Sequence, residues 1–307
     1  MAERRLQVFH AVAKHGSFTR AAEHLFMTQP AVTFQIKQLE EHFNTRLLDR
    51  GHGHVGLTPA GEVVLAYAER ILDLSDELES RISELTDDLG GVLSIGTSTT
   101  IAAYWLPRLL ERFKQKYPRV VPRVVVGNSQ LTESRVVARE LDIGLIEIVS
   151  EQPAIERFTA ARDELLVICR PGHPLTKKKK LAAQDLVAHP FLNRDPGNAI
   201  RELTEEFFEA AGIGIEELNV AAELGSLATV KHLAAETDGY AIASRAAIQR
   251  DLREERLAAI PLEPRQYTPL EVIIPKDKFR SRLITTFAEH AVAELVAMAT
   301  IPLAEEA

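Results

Sequence analysis

The chain is poor in the features that would tie it to an oxidising compartment or a membrane. Its one cysteine, Cys169, has no second cysteine to pair with, so no internal disulfide forms. No apolar run approaches the roughly 20 residues that span a bilayer. The start, MAERRLQVF, has neither the apolar core nor the small-residue cleavage site of a secretion signal. These absences predict the cytoplasm and no membrane partner. Catalytic signatures are missing too: there is no Gly-rich phosphate loop after a strand, no G-x-S-x-G, no HExxH and no cysteine cluster. An enzyme on an α/β fold therefore has no support, and neither a catalytic residue nor a metal site is expected. Cys169 lies in an apolar strand and reads as core, not as a nucleophile.

Net positive charge is also lacking, since the formal balance is −8. Its distribution matters more than its sum. Residues 1–58 carry 7 Lys and Arg against 5 Asp and Glu, and 6 of the 10 histidines, whereas the remainder carries 29 against 39. A mildly basic piece precedes an acidic body. At 307 residues the chain has room for two or three domains.

The basic piece reads as three short helices. Leu6, Phe9, Val12 and Ala13 keep helical spacing in 3–15. After Gly16, Ser17 is a suitable N-cap for a helix carrying Phe18, Ala21, Ala22 and Leu25. Phe26-Met27 reads as a tight turn and Thr28 as the cap of a third helix, whose apolar stripe is Val32, Ile36 and Leu39. The opposite face of that helix holds Pro30, Phe34 and Lys37. Three helices with so short a turn between the last two make a helix-turn-helix layout. The following LLDRGHGHVGLT predicts a two-stranded hairpin, or wing.

Thr58-Pro59 is a strong helix start. From there to about Leu89, Val64, Tyr67, Ile71, Leu74, Leu78, Ile82, Leu85 and Leu89 recur at steps of three and four. A seam that long has to pack against something, which predicts a coiled-coil linker helix over 59–89 and a dimer. Gly90-Gly91 reads as a joint. Beyond it, β-rich runs alternate with amphipathic helices. Strands are expected at Val92–Gly96, Val120–Val126, Ile143–Ile148, Glu164–Cys169, Leu218–Glu223, Tyr240–Ala243 and Leu270–Ile274. Helices are expected at Ile101–Tyr117, Leu131–Leu141, Ile200–Ala211 and Leu227–Glu236. This alternation predicts an α/β fold with largely parallel sheets, long enough for two subdomains.

The ordered run Phe9-x-x-Val12-x-x-x-Gly16-Ser17-Phe18-x-x-Ala21-Ala22-x-x-Leu25, Thr28-Gln29-Pro30-Ala31-Val32, Gln35-Ile36-x-x-Leu39-Glu40, Leu47-x-x-Arg50 and Leu57-Thr58-x-Ala60-Gly61 resembles the N-terminal signature of LysR-type transcriptional regulators. The resemblance extends over essentially the whole chain. It implies a winged helix-turn-helix DNA-binding domain (1–58), a linker helix that dimerises (59–89), and an α/β effector module (90–307) resembling periplasmic binding proteins. Within that module it implies one subdomain of about 91–162 with 268–307 and another of about 163–267. It also implies a homodimer that assembles into a homotetramer on promoter DNA, RNA polymerase as a candidate partner, and a small-molecule effector bound between the subdomains. No other cofactor is expected. The effector would act by changing DNA bending or oligomer geometry.

On this resemblance Gln29, Thr33, Phe34 and Lys37 meet base edges, Pro30 rigidifies the helix start and presents apolar surface, and Arg50 in the wing meets a phosphate or the minor groove. Ser17 and Thr19, at the start of the second helix, offer hydroxyls to a phosphate. The alternatives are that Ser17 is a cap alone and that Phe34 is buried against a neighbouring element. His52 and His54 read as solvated wing residues, and Lys177–Lys180 as a solvated turn.

For the effector, Ser98, Thr99 and Thr100 stand at the mouth of a helix after the first strand of the α/β module, a natural anion site. Asn193-Arg194-Asp195-Pro196-Gly197-Asn198-Ala199-Ile200-Arg201 resembles the segment REPGSGTR of a subgroup that includes sulfur-assimilation, sulfite-responsive and carbon-fixation regulators. It implies that Arg194, Asn198 and Arg201 face the cleft and that the co-inducer is an anion. Ile200 departs from the subgroup's threonine, which removes a hydroxyl expected to serve a small oxyanion. Either arginine could instead pair with Asp195, Glu147 or Glu164. Glu147, at a strand end, faces the cleft or balances an arginine. A solute-binding protein without a DNA role remains the alternative function.

Overall fold

The computed structural model describes residues 2–25, 27–51, 54–86, 89–276 and 281–299, excluding the side chains of 2, 3, 50, 51, 54, 73, 76, 77 and 79–86. The chain divides into two compact units, residues 1–87 and 88–307.

In the first unit, helices α1 (Ala2–His15), α2 (Phe18–His24) and α3 (Gln29–Phe43) precede an antiparallel hairpin of β1 (Leu48–Gly51) and β2 (His54–Leu57), then the long helix α4 (Pro59–Thr86). Val8, Phe9, Val12, Ala21, Val32, Ile36, Leu39 and Leu47 form one buried cluster. The expected apolar stripe of α3 is thus its inner face. Ser17 caps α2, its hydroxyl accepting from the Arg20 amide at 3.4 Å. Thr28 is the N-cap of α3 by backbone only, without a side-chain bond.

The hairpin is held from two sides. Glu40 Oε1 accepts from the amides of Leu47 at 2.9 Å and Leu48 at 3.3 Å. Thr58 Oγ1 donates to the Arg46 carbonyl at 2.8 Å and accepts from the Gly61 amide at 3.0 Å. A Cβ on Gly61 would lie 2.0 Å from the Leu47 carbonyl oxygen, so only glycine allows the first turn of α4 to pack there. The Phe26-Met27 turn rests on Phe26, and His52 and the side chain of His54 also lie outside the described residues.

The linker departs from the expected seam at both ends. Helix α4 is described as far as Thr86, and Leu89 is not helical. Val64 packs against the helix-turn-helix cluster, and Leu89 is buried in the second unit's core. Tyr67, Ile71, Leu74 and Leu78 remain as an exposed apolar strip, 44 to 63% accessible. The side chains of Ile82 and Leu85 are outside the description.

The second unit is α/β. Its main sheet runs in the order β4 (Val120–Gly127), β3 (Gly91–Ser98), β5 (Ile143–Ile146), β10 (Ala258–Pro275), β6 (Ile155–Cys169), β9 (Ala241–Ser244). A second, two-stranded sheet pairs β7 (Phe191–Arg194) with β8 (Val220–Leu224) in parallel. The helices are α5 (Thr99–Tyr104), α6 (Leu106–Lys116), α7 (Ser129–Val137), α8 (Ala199–Ala210), α9 (Leu227–Glu236), α10 (Arg245–Arg253) and α11 (Arg282–Met298).

The main sheet is mixed, which corrects the expectation of largely parallel pairing. Strands β3, β4 and β5 are parallel, but β10 is antiparallel to β5 and β6, and β6 to β9. Strands β6 and β10 are also long, and each traverses two separate cores. Ala160, Ala161, Leu270, Val272 and Ile274 belong to one apolar cluster, while Leu165, Val167, Cys169, Ile260 and Leu262 belong to another. The expected helix 101–117 is two, parted at Trp105. Pro107, in the first turn of α6, has no amide proton to continue the ladder.

Cys169 is fully buried, and burial pushes its thiol up to about 11, as suits a core residue. The lysine turn is solvated and carries surface ion pairs, Lys178 with Asp185 and Lys180 with Glu263.

Candidate nucleic-acid interface and effector cleft

The outer face of α3 is presented without competition from the first unit's core. Gln29, Pro30, Phe34 and Lys37 are exposed and Thr33 is half-buried. Phe34 is 59% accessible, which excludes burial against a neighbouring element of this unit. Two polar members are tied together: Thr33 Oγ1 donates to the Gln29 carbonyl at 3.0 Å and accepts from Gln29 Nε2 at 3.2 Å. Lys37 leans towards Glu41 at 3.7 Å, a wet i,i+4 pair of little strength. Thr19 is exposed one residue into α2, and Ser17 caps it. Arg50 lies in β1 opposite Val55, with its side chain outside the description. Gln29, Pro30, Thr33, Phe34 and Lys37 make a polar and apolar ridge along α3, the element a major-groove reader presents.

In the second unit a cleft of about 180 Å³ opens at the ends of the strands. Three helix starts contribute to its lining: Ser98 and Thr99 of α5, Asn128 and Ser129 of α7, and Asn198 and Ala199 of α8. Each has a side-chain cap. Ser98 Oγ accepts from Ile101 N at 3.1 Å, Asn128 Oδ1 from Leu131 N at 2.7 Å, and Asn198 Oδ1 from Ile200 N at 3.1 Å. Glu147, Arg194, Asp195, Gly197 and Gly225 also line it. Gly197, at φ +79°, turns the chain between β7 and α8 in a conformation that side chains disfavour.

Arg194 is buried, 3% accessible. It donates Nε to the Leu224 carbonyl at 3.3 Å and Nη2 to the Gly225 carbonyl at 3.2 Å, while its Nη1 has no partner. Burial lowers its pKa, opposed by the charges of Asp195 and Glu147. Glu147, also 3% accessible, has Oε1 without a partner, and its amide donates to Ser129 Oγ at 3.1 Å. Burial raises its carboxyl to about 7; the Ser98 hydroxyl opposes, the charge of Asp163 adds, and Arg194 and the Thr100 hydroxyl oppose again. Thr100 Oγ1 is buried beneath and makes no well-formed hydrogen bond.

Three expectations need correction. Arg201 does not line the cleft: it donates to Glu205 at 2.7 Å, to Glu223 at 2.9 Å and to the Arg194 carbonyl at 2.9 Å. Its charge braces the β7–α8 segment. Ile200 faces the apolar core beside Phe191, Phe207 and Phe208, so the lost threonine hydroxyl is not a lost cleft donor. Glu164, offered as a partner for either arginine, pairs with Arg245 and Arg265 instead. Sequence reasoning missed Asn128, Ser129 and Gly225, and named Asp195 and Gly197 only as members of the segment facing the cleft. The Asn128-Ser129 pair before a helical run was the available signal, a capping pattern of the same kind as Ser98-Thr99. Among the described residues no group of three His, Cys, Asp or Glu side chains could hold a metal, and no helix is long and apolar enough to cross a membrane.

Comparison with known proteins places this geometry. Residues 86–296 match the family "LysR substrate binding domain", and residues 4–62 match "Bacterial regulatory helix-turn-helix protein, lysR family". A protein of Synechocystis sp. named "Probable RuBisCO transcriptional regulator" is 31% identical over 293 residues, covering 94% of this chain and 85% of that one. A cysteine-to-aspartate variant of full-length OxyR from Pseudomonas aeruginosa superposes with a TM-score of 0.68 at 19% identity, over 96% of this chain and 94% of that one. Full-length CbnR, solved in complex with its target DNA, superposes at 0.56 with 24% identity, over 96% and 100%. An exposed reading helix on a three-helix core, a cleft in an α/β module and matches across nearly the full length converge: the chain belongs to the LysR family of DNA-binding transcriptional regulators.

Proposed function

We propose that this regulator is switched by a small anion held in the cleft. The observation that carries this reading is the orphaned Nη1 of the buried Arg194, which lines the same small space as the N-termini of α7 and α8. Ser98, Thr99 and Asn198 supply polar contacts around it, and Thr100 lies beneath. The first unit enters a major groove by α3, with Gln29, Thr33, Phe34 and Lys37 at base edges and Ser17, Thr19 and Arg50 towards the backbone. Tyr67, Ile71, Leu74 and Leu78 form the homodimer seam, and two dimers assemble as a tetramer on promoter DNA in the cytoplasm. The anion changes DNA bending or the geometry of that assembly, and RNA polymerase reads the result.

The names of the relatives put promoters of carbon-fixation genes beside the protein's own upstream DNA as the fragments to try. A gel-shift titration across salt, with and without small carboxylates and oxyanions, tests the reading. Specific, salt-sensitive binding altered by one of these anions supports it. Binding that no anion changes, with no thermal shift from any of them, rejects the switch.

A further inference from the structure

Three buried atoms on the cleft lining lack hydrogen-bond partners: Asp195 Oδ1, which lies 3.5 Å from Arg194 Nη2, and two that differ in kind, Arg194 Nη1 and Glu147 Oε1. Arg194 Nη1 can only donate a hydrogen bond, whereas Glu147 Oε1 accepts when ionised and donates only when protonated. An anion satisfies the arginine and the amide ends of α7 and α8, but it also sets its own oxygens against the Glu147 carboxyl. Two oxygens of that kind come together only with a proton between them.

The groups around Glu147 do not remove this demand. Asp163 from β6 adds negative charge, and Arg194 from β7 sits with Asp195, their closest charged atoms 3.5 Å apart. Ser129 Oγ and Ser98 Oγ accept from the amides of Glu147 and Ile101, and the Ser98 hydroxyl keeps its proton for the Glu147 carboxyl, opposing but not outweighing the effect of burial. The Glu147 carbonyl accepts from Thr268 Oγ1 at 3.3 Å, which holds the main chain just beyond β5. Thr100 Oγ1, buried beside it and without a well-formed hydrogen bond, also favours the ionised carboxyl.

We propose that the cleft binds its anion together with one proton held between the ligand and Glu147, and so selects small oxyanions and carboxylates that bring a proton of their own. This rests on the cleft being the effector site. The proton comes from the ligand when Glu147 is ionised, or from Glu147 when the ligand is fully deprotonated. Either way one proton joins two oxygens. Burial, which holds the carboxyl at about 7, makes the second route steadily costlier as pH rises above neutrality.

Inorganic sulfate and inorganic phosphate test this cleanly. At about pH 8 both are tetrahedral dianions, but phosphate keeps a proton and sulfate has none. Calorimetric titration of the full chain at that pH should show phosphate binding at least about tenfold tighter. Sulfate should gain up to about tenfold for each unit the pH falls towards neutrality, and buffers of different ionisation heat should report uptake of one proton per sulfate. Glu147→Gln, which offers a permanent amide donor, should bind sulfate independently of pH and lose the preference for phosphate. Equal binding of the two ions at about pH 8, or sulfate binding in the unaltered chain that ignores pH, overturns the proton's role and leaves the anion site standing. Binding of neither ion, or binding undiminished in Arg194→Gln, overturns the site itself and the proposal with it.

Discussion

The guanidinium of Arg201 donates to the main-chain carbonyl of Arg194 at 2.9 Å while also holding Glu205 and Glu223. The second arginine of the segment thereby fixes the end of β7, from which the first enters the cleft. Arg201→Ala should destabilise the effector module by about 1–3 kcal/mol, because it frees a buried carbonyl and two carboxylates at once. Anion affinity should fall by less than in Arg194→Gln. Urea unfolding and titration on the same samples separate these effects; an unchanged midpoint would refute the bracing role.

Phe34 is the apolar member of the reading face. Phe34→Ala should weaken specific DNA binding by roughly 1–3 kcal/mol while leaving the fold intact, since the ring contacts no core. Competition with random DNA decides the point: equal loss on both sequences assigns the ring no role in reading bases.

The exposed strip on α4 gives a third expectation. Leu74→Glu with Leu78→Glu places charge where the seam needs apolar contact and should shift the protein from dimer to monomer in sedimentation. A double variant that stays dimeric at the same concentration moves the seam elsewhere.

Stability should also carry the mark of two raised carboxyls. Glu147 stands at about 7 against 4.5 and Asp163 at about 6 against 3.8, both chiefly through burial. The unfolded chain releases these protons at ordinary carboxylate values while the folded chain keeps them. Their contribution to stability therefore falls as pH rises from about 4 to about 7 and levels off above. Glu147→Gln should flatten part of that slope in urea midpoints measured across the window. An identical slope in the variant would mean that Glu147 is already ionised well below neutrality.

The DNA-binding unit was legible in the sequence because its signals are local: caps at Ser17 and Thr58, apolar steps of three and four, and a glycine at 61 that admits one close approach. The effector module was legible in type but not in extent. Arg162-Asp163-Glu164 looks like a break in a strand, yet the chain stays extended there. Ala246 N binds Asp163 at 3.2 Å and Arg245 binds Glu164, so the polar run is offset by partners distant in sequence. Strand β7 was missed because it is four residues long and follows Pro190. Arg201 and Ile200 were misassigned for a shared reason. Residue type suggested a ligand contact at each, but the rotation of α8 turns Ile200 into an aromatic core and Arg201 onto carboxylates, which no local pattern encodes.

The missing Cβ at Gly61 has a mechanical meaning. With the Leu47 carbonyl filling that space and Thr58 joining the Arg46 carbonyl to the helix start, the first turn of α4 cannot tilt without dragging the wing along. Ala68, two turns further on, is sealed into the same cluster as α1. Reading head, wing and the opening turns of the shaft therefore move as one rigid key. If α4 builds the proposed dimer, the quantity left for the proposed switch to set is how far apart, and at what angle, two such keys are held.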